Sequence, residues 1–174
     1  MASHASGAWV TTLVDGADGM GKDTGDVGIG ASLFIDASND WHIAYVDGLA
    51  ESLRYVKLTG GTKASAPEII DDGLGVGAGK FADGQQLVGD DANIAVAPSG
   101  EVRVSYQDAT AGKLHFATGS LAADKHTWKV QEIAQENFAG AFSRIVEVDG
   151  KLQLVNWWRA GAPRTVGDVA VLSP

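Results

Sequence analysis

The sequence predicts an all-β protein built from three four-stranded antiparallel units. Three observations support this fold class: short apolar runs with period-2 alternation, Gly and Asp where strands should reverse, and a pattern that repeats at a fixed spacing. The 174 residues include 23 Gly and 4 Pro, and 45% are apolar, which suffices for one domain with a core. We therefore expect one domain over residues 8–174, and we place residues 1–7 outside it as a disordered or added N-terminus.

An internal repeat is the clearest organising feature of the chain. Each of three strand-like runs recurs at the offset that separates Ala31 from Ala92. The matching runs are Ala31–Asp36 with Ala92–Ala97, Trp41–Asp47 with Val102–Asp108, and Ser52–Tyr55 with Lys113–Phe116. Three runs that keep one offset predict a structural repeat.

A third, more divergent copy follows in Ser143–Val148, Lys151–Trp158 and Val169–Leu172, with the hairpin signal Asp149-Gly150 inside it. A further alternating run precedes each copy. These runs are Trp9–Asp15, Pro67–Asp72 and Trp128–Ile133. We assign them as first strands, which gives three units over about residues 8–60, 65–120 and 127–173.

Four-stranded antiparallel units in tandem are typical of β-propeller blades. Closed rings use roughly four to eight blades, so three units would leave an apolar face open at each end. We expect a partial propeller that is closed by oligomerisation, most simply as a homodimer. Two alternatives stay open: the chain is a fragment of a longer propeller, or the same hairpins form a twelve-strand sandwich or barrel.

The first two units also resemble a known repeat. Ala31–Asp36, His42–Asp47 and Leu53–Tyr55 look like the SLAxD…GxxHIAYxD…xLxYA repeats of bacterial, myxobacterial-type propeller-like proteins. The resemblance covers most of residues 27–60 and 88–118 and is weaker over 139–172. It implies a propeller-type fold and an exported protein, whether periplasmic, surface-bound or extracellular, and it assigns no activity.

Composition excludes several classes of partner. The 22 acidic and 13 basic residues give a formal net charge of −9, which argues against nucleic acid and anionic lipid as partners. No apolar run approaches the roughly 20 residues of a membrane span, so membrane insertion is not expected. The absence of Cys rules out disulfides, thiolate nucleophiles and Cys-ligated zinc.

The motif search predicts no enzyme, no metal and no cofactor. The four histidines have no zinc-ligand spacing, no G-x-S-x-G is present, and the two Gly-Lys loops lack the Ser/Thr of a phosphate-binding loop. The many Asp residues allow calcium binding but are ordinary turn residues. In particular, Asp47 and Asp108 should accept hydrogen bonds from the backbone of the next turn.

Candidate ligand or interface residues come from the positions that break the repeat. The third strand ends Tyr-x-Asp in units one and two, but the third unit has Trp157, Trp158 and Arg159 there. An exposed Trp158 beside Arg159 suits a stacked sugar, with Arg159 donating to a hydroxyl or carboxylate. The alternative is that both indoles seal the end unit against a second subunit. Trp41, which does not repeat, and His42, which we expect to be an ordinary strand residue, complete the set.

Taken together, the sequence favours a non-enzymatic module for binding or assembly, forming a homodimeric half-ring. A carbohydrate-binding lectin or glycan-active propeller protein is the alternative. The expected partners are a second copy and a glycan or protein ligand.

Overall fold

The computed structural model describes residues 2–5, 7–16, 25–74, 84–133, 138–159 and 168–172, and all regular structure within these ranges is β-strand. The all-β prediction is therefore confirmed. The strands are β1 (Ala2–Ala5), β2 (Ala8–Thr11), β3 (Val27–Ile35), β4 (Trp41–Asp47), β5 (Ser52–Thr59), β6 (Lys63–Ala64), β7 (Glu68–Asp71), β8 (Val88–Val96), β9 (Val102–Asp108), β10 (Lys113–Ala122), β11 (Lys125–Glu132), β12 (Phe138–Val148), β13 (Lys151–Arg159) and β14 (Asp168–Leu172).

The strands form one small hairpin and three larger sheets, and all their pairings are antiparallel. Sheet 1 has the order β3-β4-β5, with both β6 and β7 pairing with β5. Sheet 2 has the order β8-β9-β10-β11, and sheet 3 has the order β12-β13-β14. Strands β1 and β2 pair with each other. Antiparallel sheets of this size, including one of four strands, agree with the predicted unit.

The boundaries of the sheets differ from the predicted units. Strand β7 pairs with β5, and β11 pairs with β10, so the strand before the second and the third copy closes the preceding sheet instead of opening the next one. The predicted units at 65–120 and 127–173 therefore start one strand too early. The physical reason is the short connection, since a strand that follows a tight turn returns along its predecessor. The predicted opening strand of the first unit, Trp9–Asp15, is a strand over Ala8–Thr11 and pairs with β1.

The N-terminal residues form a two-stranded sheet of their own. Ala2–Ala5 pair with Ala8–Thr11 across a turn at Gly7, whose φ is 83°, so residues 2–5 are ordered as a strand. A glycine adopts that φ without steric cost, which allows so short a turn.

The first strand of each large sheet carries the same irregularity. The ladder register shifts twice near its start, at Val27–Ser32, Val88–Asn93 and Ala139–Arg144. Residues of positive φ lie at the same two places in each shift: Gly28 (101°) and Gly30 (60°), Gly89 (102°) and Asp91 (51°), and Gly140 (97°) and Phe142 (55°). This shared double bulge aligns sheet 3 with the other two independently of side-chain identity.

The three sheets stack in chain order with their first strands side by side. One core cluster joins sheets 1 and 2, with Leu53 and Tyr55 against Ile94 and Tyr106. Between the first strands, Ser32 Oγ accepts a hydrogen bond from Ile94 N at 3.2 Å. Sheets 2 and 3 are joined in the same way, because Asn93 Oδ1 accepts from Ile145 N at 2.8 Å. A second cluster fills this interface, formed by Leu114, Phe116, Ala139 and Leu154.

Candidate interface and ligand-binding residues

A tyrosine–aspartate pair occurs on the same face of sheets 1 and 2. Tyr45 OH donates to Asp15 Oδ2 at 2.7 Å, and Tyr106 OH donates to Asp71 Oδ2 at 2.6 Å. Burial and the neighbouring carboxylate raise the pKa of both phenols far above the ordinary value. The hydroxyls therefore stay protonated as donors. Because Asp71 belongs to sheet 1 and Tyr106 to sheet 2, the second pair ties the two sheets together.

The basic side chain beside each carboxylate differs between the two sheets. In sheet 1, Arg54 forms an ion pair with Asp47 and lies 3.6 Å from Asp15. In sheet 2 the position of Arg54 in the strand register is taken by His115, whose Nδ1 lies 3.6 Å from Asp71. Burial opposes ionisation of Asp71, but His115 and the Tyr106 hydroxyl outweigh it and hold the pKa of that carboxyl below its usual value.

Sheet 3 has lost this network. The register places Asn156 where the other sheets have tyrosine. Asn156 Oδ1 accepts from Gly140 N at 3.1 Å, while its buried Nδ2 has no partner among the described residues. The Asn156–Gly140 bond lies within sheet 3, so other groups join this sheet to sheet 2. Gln107 Nε2 donates to Ala139 O at 2.7 Å, and the hydroxyls of Ser105 and Ser143 lie 2.9 Å apart.

We expect Tyr106→Phe to destabilise the protein more than Tyr45→Phe does. Asp71 is the more deeply buried carboxylate, so losing a donor there should cost about 1–3 kcal/mol. Asp15 is partly exposed and keeps Arg54 nearby, so its cost should be below about 1 kcal/mol. Urea unfolding of both variants at one protein concentration measures the difference, and equal losses would contradict it.

The two repeated aspartates cap turns, as the sequence predicts. Asp47 Oδ1 accepts from Leu49 N at 3.0 Å and from Ala50 N at 3.1 Å. Asp108 Oδ1 accepts from Ala111 N at 2.8 Å. These carboxylates are therefore committed to holding the turn after β4 and β9.

His42 is buried in sheet 1 within a chain of polar groups. Its Nδ1 lies 2.8 Å from Tyr55 OH and its Nε2 lies 3.3 Å from Asp36 Oδ2. Tyr55 also packs edge-on against His126 and Trp128. Burial lowers the pKa of His42, although the nearby Asp36 carboxylate opposes that shift.

The His42 environment predicts loss of stability in acid. Its folded-state pKa lies below the ordinary value near 6.5, so below that pH the unfolded chain takes up a proton that the folded chain does not. The free energy of unfolding should therefore fall as the pH drops from 7.5 to 5.5. His42→Gln should show a smaller fall in urea midpoint over this range, and an unchanged fall would refute the assignment.

The five residues singled out from sequence do not form one site. Trp41 and His42 lie at the start of β4 in sheet 1, whereas Trp157, Trp158 and Arg159 end β13 in sheet 3. Sheet 2 separates the two groups. Trp41 packs against the cluster of Ile43, Tyr45, Val56 and Leu58, and its ring covers Gly61.

The two adjacent tryptophans face opposite ways. Trp158 packs against the core cluster between sheets 2 and 3, so it is not the freely exposed indole that the sequence suggests. Trp157 lies on the other side of β13, where it packs edge-on against Phe138 at 5.5 Å. Arg159 is exposed at the end of the strand. Of the two indoles, Trp157 is therefore the one on the outer face of sheet 3.

Sequence reasoning missed a pocket on the outer face of sheet 1. It has a volume of about 280 Å³, and its walls include Leu13, Val27, Gly28 and Leu33, with Tyr45 and Asp15 at a polar end. The lining is mostly apolar, which suits burial of an apolar partner group. The match of Val27-Gly28 with Val88-Gly89 is visible in the sequence, but only the structure reveals that the first copy is uncovered.

Two further searches of the described ranges concern metals and membranes. In the part of the chain that the structure describes, no three His, Asp or Glu side chains are arranged to hold a metal ion. Within the same ranges there is no helix with the length and apolar character that a membrane crossing needs.

Comparison with known proteins gives likeness of fold alone. Neither a protein-family model nor a curated protein matches the sequence. The α-L-arabinofuranosidase from Lactobacillus brevis is similar in structure, with a TM-score of 0.58 and 11% identity over 83% of this chain and 48% of that one. The endo-arabinase from Bacteroides thetaiotaomicron gives a TM-score of 0.56 and 12% identity, covering 88% of this chain and 57% of that one.

This likeness establishes an all-β fold of the propeller type. The chain spans about half the length of the two solved structures.

Proposed function

We propose that this chain is a non-enzymatic, propeller-type module for binding or assembly, and that it associates with a second copy through the outer faces of sheets 1 and 3. One comparison carries the proposal. Leu33 in sheet 1 and Ile94 in sheet 2 occupy the same register position, yet Leu33 is 50% exposed and Ile94 is 4% exposed. The equivalent position in sheet 2 is buried, and among the described residues no further sheet covers Leu33. Val14 and Asp15 cover only the neighbouring part of this face, at Ile43 and Tyr45.

The other end of the stack supports the same proposal. On the outer face of sheet 3, Val146 and Val171 are exposed, the latter by 60%. In sheet 1 the corresponding residues are Phe34 and Tyr55, and both pack into the interface with sheet 2. Apolar residues exposed at both ends favour association through those ends.

The roles of the buried carboxylates support a non-enzymatic module. Asp47 and Asp108 cap turns, Asp15 and Asp71 accept from tyrosines, and Asp36 accepts from Ser38 N and Asp40 N. Each therefore has a structural task that accounts for its burial. A glycosidase instead needs two carboxylates facing one cleft, roughly 5–9.5 Å apart.

Sedimentation velocity across the micromolar range tests the self-association. We expect a concentration-dependent species of twice the 18.0 kDa chain mass, because apolar faces of this kind associate by mass action. A strictly monomeric chain at the highest concentration would contradict the proposal.

Glycan binding is the second candidate, and the fold likeness favours it. The two similar structures are those of an α-L-arabinofuranosidase and an endo-arabinase. The exported location implied by the repeat resemblance would bring this chain into contact with external polysaccharides. The exposed Phe142 at the double bulge of β12 offers an aromatic surface for a sugar ring.

Titration with arabinan oligosaccharides, followed by thermal shift and by release of reducing sugar, tests this candidate. We expect a raised melting temperature without hydrolysis. Phe142→Ala should abolish the shift, whereas Leu121→Ala, at an equally exposed site on β10, should keep it. Hydrolysis would contradict the non-enzymatic proposal, and no shift would contradict glycan binding.

A further inference from the structure

The interface between sheets 1 and 2 shows which side chains pack onto the first strand of a sheet when another sheet covers it. At Gly89, a Cβ atom would lie 2.8 Å from Val46 Cγ2 and 3.0 Å from Leu53 Cδ1. Sheet 1 thus presses these side chains onto the bulge of sheet 2, and only a glycine leaves room for them. The double bulge is the point at which one sheet receives the next.

Sheet 1 has the same receiving bulge, and none of the residues that the structure describes occupies it. Gly28 corresponds to Gly89 in the register, but no described atom lies within 4 Å of its would-be Cβ. The apolar pocket opens directly beside it.

Sheet 3 carries side chains equivalent to those that sheet 1 packs onto sheet 2, and among the described residues no sheet lies against them. The register places Trp157 where sheet 1 has Val46, and Val155 where it has Ala44. Val171 pairs with Val155 and continues the apolar surface onto β14. The inserting side chain on sheet 3 is therefore larger than Val46, and the pocket of about 280 Å³ beside Gly28 on sheet 1 offers room for it.

We infer that two copies of this chain meet head to tail, with Trp157 of one copy seated over Gly28 of the other. This inference rests on the proposed self-association and names its two surfaces. Charge agrees with the match of size, since exposed Arg159 ends β13 beside Trp157 and exposed Asp26 precedes β3 beside Gly28. At the same level of the two sheets these side chains carry opposite charge.

The geometry favours this pairing over contact between identical faces. Each copy has one inserting face and one receiving face, so two copies related by a twofold axis make the same contact twice and leave neither face open. Pairing sheet 3 with sheet 3 would set two tryptophans against each other and leave both hollows empty.

Two variants with opposite charge test the pairing. Trp157→Arg changes the inserting face, and Leu33→Glu changes the receiving face at an exposed position. We expect each variant alone to dimerise roughly thirty-fold more weakly or worse. Mixed in equal amounts, they should recover a dimer, because one of its two contacts is then fully wild type. Val171→Arg is a second inserting-face variant should Trp157→Arg fail to fold, and Leu121→Arg is the surface control.

The outcomes separate this inference from the proposed function. Recovery on mixing supports the head-to-tail contact. A wild-type dimer in which either variant alone stays fully dimeric, or in which mixing restores nothing, overturns the pairing and leaves self-association standing. A monomeric wild-type chain overturns both.

Discussion

The central strands of sheets 1 and 2 are buried on both of their faces, and much of the structure follows from that. Residues His42–Asp47 of β4 are buried without interruption, although consecutive side chains of a strand point to opposite faces. A sheet of this kind cannot bury the residues of both faces by itself, so another part of the protein must cover each face. Stacking of the three sheets covers the inner faces and leaves the outer faces of sheets 1 and 3 at the two ends of the stack.

The stack is joined at two levels. At the first strands, the double bulge lets the backbone of one sheet approach the side chains of its neighbour closely. There, Ser32 and Asn93 also accept hydrogen bonds from backbone amides in the first strand of the next sheet. Further out, Asp71 and Glu68 reach from sheet 1 to Tyr106, His126 and Trp128 of sheet 2. Buried polar bonds between apolar faces set the register in which the sheets pack.

The polar groups by which one sheet binds the next differ in the third sheet. Asn156 stands in place of the tyrosine, and Arg144 stands in place of Ser32 and Asn93. A guanidinium only donates, so Arg144 cannot accept from a following edge amide as those two residues do. A sheet that follows sheet 3 must therefore rely more on apolar contact through Trp157 and Val171 than the internal joints do.

The all-β class, most of the strands and the turn-capping role of Asp47 and Asp108 could be predicted from the amino-acid sequence, because alternation and Asx turns are local properties. The stretch Trp157–Arg159 was also recognisable as unusual. The packing of the sheets was needed to show that β7 and β11 close the preceding sheets and that Trp158 faces the core while Trp157 faces outward. It was also needed to show that no described residue covers the hollow at Gly28. The reason is that alternation in a strand predicts which residues share a face but not which part of the protein covers that face. Equivalent residues such as Leu33 and Ile94 therefore differ in exposure only because their neighbours differ.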